Sequence, residues 1–163
     1  LLQFLSENRV TPLGHWDYVT HQIIASPFKP LKYIDKIDIF GYRFSIHYKD
    51  SPELITKYLL VEMKKDKINK AALEQTMQYV DWICKEYASG DYSMIEAYVV
   101  GNRAVNRIED IKNEVCQRAF ISSSHPATPE KWNALSIVTY DFSDTVSFRN
   151  DGWIKDIMLL WKW

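Results

Sequence analysis

Glu62 and Lys64 stand two residues apart at the end of an apolar run, Lys57-Tyr58-Leu59-Leu60-Val61, and a stretch of helical period carrying Gln75 and Tyr79 follows at once. In a strand, side chains alternate faces with a rise of about 3.3 Å per residue, so Glu62 and Lys64 project from one face, roughly 7 Å apart along the backbone. A carboxylate and an ammonium then share one pocket. Tyr58 and Leu60 line one face of the run and Leu59, Val61 and Met63 the other, the pattern of a central strand buried on both sides. Ionised groups in such a place are costly unless paired, solvated or bound to metal. A strand end opening into solvent would hold the same pair with no chemistry attached, so Glu-x-Lys gains its meaning from its surroundings.

Upstream, Ile37-Asp38-Ile39-Phe40-Gly41 sets a lone carboxylate inside an apolar run that ends in an expected glycine turn, and residues 42–48 alternate apolar and polar as a half-buried strand does. Two carboxylates and a lysine from neighbouring strands make a hard, oxygen-rich site suited to Mg²⁺ or Mn²⁺, which keep several waters and use one or two protein carboxylates. Such an ion can polarise a phosphodiester oxygen and acidify a water. Lys64 could orient that water or offset charge growing on the phosphate.

In this order the residues resemble the PD-(D/E)xK nuclease superfamily, the restriction-endonuclease-like enzymes. Asp38 resembles its first-motif aspartate, Glu62-Met63-Lys64 its (D/E)-x-K, and Gln75 with Tyr79 the Gln-x-x-x-Tyr of the following helix in many members. The run from Leu60 through Gln75 to Ile83 is similar to the branch that contains archaeal and actinobacterial mismatch or branched-DNA endonucleases, and the likeness covers residues 1–101. It implies a restriction-endonuclease-like α/β core, with a central mixed β-sheet flanked by α-helices. It also implies an endodeoxyribonuclease that hydrolyses DNA phosphodiester bonds with a metal-activated water. Asp38, Glu62 and the backbone carbonyl of Met63 would hold Mg²⁺ or Mn²⁺, Lys64 would position water or phosphate, and Gln75 would be an accessory catalytic contact.

Two departures accompany the resemblance. No Pro precedes Asp38, and Asp35 is a rival three residues earlier; three residues along a strand reverse the face, so at most one of the two faces Glu62, and its apolar neighbours favour Asp38. The Glu that many members carry on their first helix would precede residue 1, with Glu7 too far along to replace it. The rival from another class is a catalytically inactive module on the same fold, for DNA binding or protein docking.

Leu73, Met77, Val80, Cys84 and Tyr87 form a helical stripe, widened by Ala72, Thr76 and Ile83, that should pack on the sheet, with Gln75 and Tyr79 one turn apart at its flank. Tyr79 reads as a core-edge aromatic with its hydroxyl in water. Helices are expected over residues 1–8, 15–25 and 105–119, the last burying Ile108, Ile111 and Val115, and strands over Met94–Val100, closed by Gly101, and Leu135–Tyr140, the last of the main sheet. Residues 122–126 read as a loop, 145–148 as a short edge strand, and the apolar 153–163 as a core-covering tail.

The length of 163 residues fits one domain, and 47% apolar content is ample for a core. The chain does not begin with Met, so a longer protein is expected. No apolar run approaches the roughly 18 to 20 residues of a membrane span. Cys84 and Cys116 are too few for a scaffold or zinc site and suit a reducing, cytoplasmic setting, and the four His lack metal-ligand spacing. A net charge of −1 is low for a nucleic-acid binder, and Lys64, Lys65, Lys67 and Lys70 are a local excess that could meet DNA phosphates, though a solvated loop carries such lysines with no partner. A homodimer partner or fused domains would supply the remaining affinity.

Overall fold

The computed structural model describes residues 13–24, 36–44, 54–142, 146–150 and 153–157, with the side chains of 23–24, 123–124, 142, 146–150 and 153–157 outside that description. The fold is α/β. Its strands are β1 (Tyr18–Ile24), β2 (Lys36–Phe44), β3 (Ile55–Ile68), β4 (Ile95–Ala104), β5 (Arg118–Ser124), β6 (Ala127–Trp132), β7 (Leu135–Phe142), β8 (Val146–Asn150) and β9 (Trp153–Ile157). Helix α1 (Lys70–Glu86) joins β3 to β4, and α2 (Ile108–Val115) follows β4.

Seven strands form one mixed sheet in the order β1-β2-β3-β4-β7-β8-β9. The three central strands β3, β4 and β7 run parallel, and the outer pairings are antiparallel. Two apolar layers sandwich this sheet. Tyr58 and Leu60 of β3 point into the layer shared with α1 and α2, while Leu59 and Val61 point into the other, with Leu13, Trp16, Val100 and Val138. Alternation along one continuous apolar run therefore serves both faces. Both helices flank the first of these layers.

Helix α1 buries Ala72, Leu73, Thr76, Met77, Val80, Ile83 and Cys84 as its periodicity predicts, and Thr76 satisfies its hydroxyl on the Ala72 carbonyl at 2.8 Å. Tyr87 leaves the stripe because the helix ends at Glu86; it is half-exposed against Phe40, Tyr58 and Trp82. Arg118 clamps the start of β5 to α1, donating to both carboxylate oxygens of Asp81 at 2.8 and 2.9 Å. Such a bidentate bond holds orientation as well as charge.

Several expectations change. Residues 18–24 form a strand rather than part of a helix, because β2 offers antiparallel partners that a short apolar pattern cannot foresee. Gly41 makes no turn: β2 runs straight through it, and a Cβ there would sit 2.5 Å from the Tyr18 carbonyl oxygen, so glycine permits close approach of β1. Gly101 likewise lies inside β4. The second helix is shorter than residues 105–119, starting after Arg107 in the left-handed region, yet Ile108, Ile111 and Val115 do pack on the core. Residues 122–126 fall in the β5–β6 hairpin, whose exposed outer strand carries too little apolar alternation to read as one. β7 is followed in the sheet by β8 and β9, so residues 153–157 form an edge strand. Residues 1–8, Asp35, residues 45–48 and residues 158–163 lie outside the described residues. Among the described residues no helix is long and apolar enough to cross a membrane.

Gly41→Ala should destabilise the fold by about 1–3 kcal/mol, because the added methyl meets backbone that cannot yield alone; urea melts read this directly. Burial pushes the Cys116 thiol up from 9.0 to about 11. A folded value above the unfolded one gives stability that is whole below pH 9 and drains as pH rises toward 11. Cys116→Ser should flatten that alkaline loss in melts recorded across the window.

Candidate active site

The site forms where β2 and β3 part. Antiparallel pairs run Tyr42↔Tyr58, Phe40↔Leu60 and Ile39↔Val61, so the next step sets Asp38 opposite Glu62. Directly opposed residues in an antiparallel pair share a face. The two carboxylates therefore lie on the α1 side of the sheet. The ladder has stopped at this step, and the Asp38 side chain replaces it, its Oδ2 accepting from the Met63 amide at 2.7 Å. A residue's N–H and C=O leave a strand on the same side, so the Met63 carbonyl also faces the Asp38 margin.

Glu62 is 4% exposed, at the end of the buried stretch Tyr58–Glu62 of β3. A carboxylate there demands a cation. Lys64, two residues on and one-quarter exposed, supplies it, donating from Nζ to Glu62 Oε1 at 2.7 Å. Its ammonium also donates to Gln75 Oε1 at 2.8 Å, and Gln75 Nε2 donates to the Tyr79 hydroxyl at 2.9 Å. Sequence reasoning placed Tyr79 at the edge with its hydroxyl in water; it is 1% exposed and hydrogen-bonded to Gln75 instead. The Gln75-Tyr79 spacing of one turn was the available signal, since it puts both side chains on one strip of helix.

Local chain chemistry fixes this arrangement. β3 passes to α1 through one residue, Asn69, whose side chain caps the helix by accepting from the Ala72 amide at 3.0 Å. Register shifts between Lys64 and Lys67 against β4, and the displaced chain folds over Gly101, where a Cβ would meet Ile68 Cγ1 at 2.8 Å and the Asp66 carbonyl oxygen at 3.1 Å. The irregularity leaves Lys65, Asp66 and Lys67 exposed. Beside them opens a cavity of about 260 Å³, lined by Lys64, Lys65, Asp66, Lys67, Asn69 and Gln75 among others, three lysines against one carboxylate. Lys70, the first residue of α1, is pinned to Glu114 at 2.8 Å on the surface, a bond that raises its pKa.

Asp38, Glu62, Lys64 and Gln75 are thus brought together, with Lys65 and Lys67 at the rim and Lys70 drawn toward α2. Among the described residues no group of three or more His, Cys, Asp or Glu side chains is placed to hold a metal ion. The donor set consists of two opposed carboxylates and a carbonyl. That set suits Mg²⁺ or Mn²⁺, which complete their shells with water.

No protein-family model and no curated protein matches the chain. Among solved structures, a repair endonuclease from Pyrococcus abyssi is similar at 21% identity and a TM-score of 0.36, over 53% of this chain and 31% of that one. The match thus reaches less than a third of that protein's length. Function has to be sought in the residues of the site.

Lys64→Met should destabilise the protein by about 1–3 kcal/mol, less than a fully buried pair would lose because the ammonium is partly hydrated. The double variant Glu62→Gln with Lys64→Met should recover much of that loss in denaturant titrations, since it leaves no buried charge behind.

Proposed function

We propose that this chain is a divalent-metal-dependent nuclease domain that hydrolyses phosphodiester bonds in DNA. The observation that carries the proposal is the convergence of Asp38, Glu62 and Lys64, from two strands, at one sheet margin beside a lysine-rimmed cavity. Asp38, Glu62 and the Met63 carbonyl would hold Mg²⁺ or Mn²⁺. When bound, such an ion polarises a phosphodiester oxygen and lowers the pKa of a water.

The chain's own residues do the rest. Asp38 keeps one oxygen on the Met63 amide, and a carboxylate's roughly four acceptor sites leave room for a further ligand. Lys64 has three N–H donors and spends two on Glu62 and Gln75. Its ammonium stays at the carboxylate margin, where it orients the attacking water or offsets charge developing on the phosphate. Lys65 and Lys67, exposed at the cavity, meet the neighbouring phosphates of the strand, with Lys70 a further contact at the first position of α1. Hydrolysis then needs no covalent bond to the protein. The two buried thiols fit a reducing, cytoplasmic setting.

Purified protein should cut DNA with Mg²⁺ or Mn²⁺ and not with EDTA. Glu62→Ala and Lys64→Ala, confirmed folded by circular dichroism, should each lose at least about a hundredfold in rate. Cutting by both variants at the parental rate would reject catalysis at this site, and no cutting by the parent under any metal would favour the inactive docking module.

A further inference from the structure

We infer that Tyr79 is a positioning residue, a fixed post that holds the Gln75 amide against Lys64 and so keeps the ammonium at Glu62. The kinetic consequence rests on the nuclease proposal; the geometric claim does not.

A lysine ammonium can only donate, so the Gln75 atom that meets it at 2.8 Å must be the carbonyl oxygen. The amide nitrogen is thereby turned along the helix toward residue 79. There it finds the Tyr79 hydroxyl at 2.9 Å, acting as acceptor. Lys64 thus decides which way the amide faces, and Tyr79 decides whether that orientation leaves the NH₂ group satisfied.

The members of this chain differ in stiffness. Lys64 and Gln75 are long and partly exposed, and their side chains give up considerable rotamer entropy when held. Tyr79 has two rotors, is 1% exposed, and sits on α1 among the core residues of the α1 layer. Its hydroxyl position is therefore set by the core rather than by the site. Gln75, one turn earlier on the same helix, bridges that fixed point to the ammonium.

Without the hydroxyl, the Gln75 NH₂ group would lack this acceptor in a half-buried position. Turning the amide out to water would restore a partner at the expense of the bond to Lys64. The ammonium would then be held by Glu62 alone and range more widely around it. Reacting groups that wander by fractions of an ångström lose rate without losing affinity.

Tyr79→Phe removes one oxygen and keeps the aromatic packing. In NMR spectra of the metal-free protein, the Gln75 side-chain amide protons should lose exchange protection and the Lys64 terminal methylene should gain mobility. Turnover on DNA should fall about five- to tenfold, with KM changed less than twofold. A Gln75→Leu background separates positioning from packing. There, adding Tyr79→Phe should cost no further turnover and leave Lys64 mobility unchanged. If Tyr79→Phe leaves both NMR signatures as in the parent, or changes Lys64 mobility equally with and without Gln75, Tyr79 is a core aromatic and the inference fails. Should the parent cut no DNA, the NMR comparison still decides the positioning claim while the nuclease proposal falls separately.

Discussion

A carboxylate buried in the middle of a parallel strand is the constraint around which this molecule is arranged. Glu62 sits on β3, between β2 and β4, where Leu59, Leu60 and Val61 are almost wholly excluded from water. Hydrophobic burial that orders the strand cannot also solvate its charge. The cation has to come from the chain itself. Lys64 provides it from the same face, two residues later, and the helix that follows supplies Gln75 to steady it.

The rest of the local structure is explained by that need. A one-residue junction capped by Asn69 brings α1 back over the sheet soon enough for its second turn to reach Lys64. Gly101 leaves space for the displaced chain beyond Lys64. The same displacement turns Lys65 and Lys67 to solvent around a cavity, so a solution to a folding problem also makes a basic rim beside two carboxylates. Asp38 has a parallel double use. Where the β2–β3 ladder ends, its side chain satisfies the Met63 amide and thereby holds its own carboxyl at the margin. A carboxyl tied to a backbone amide in this way keeps its geometry without depending on a flexible partner side chain.

The centre of this arrangement was legible in the sequence, and its periphery was not. The continuous apolar run through residues 58–61 and the period-3.6 pattern through residues 72–84 mark the strand, the helix and the shared face of Glu62 and Lys64, whereas the choice of Asp38 over Asp35 rests on its apolar neighbours, because the register that sets it opposite Glu62 is a non-local pairing. The strand at residues 18–24 was missed because its identity depends on pairing with β2, a non-local contact that seven residues cannot encode. Gly41 and Gly101 read in sequence as stops because a glycine often marks a turn, whereas here each admits a neighbouring backbone or side chain inside a strand. The hairpin at residues 118–132 hid for a related reason: β6 is almost entirely exposed and so carries no burial pattern. Helical period puts Tyr79 on α1, but the sequence does not show that its hydroxyl accepts from the Gln75 amide, because that depends on which way the amide is turned.

The central claim is that two carboxylates from neighbouring strands, separated by 24 residues of chain, act together as one site for a hard divalent cation. Electron paramagnetic resonance during titration with Mn²⁺ tests it most directly, because the signal of the free aqueous ion falls as sites fill. The account predicts one saturable site in the parent protein, lost in Asp38→Ala and in Glu62→Ala alike while circular dichroism shows both variants folded. Manganese binding that is absent from the parent, or that survives both substitutions, would contradict it.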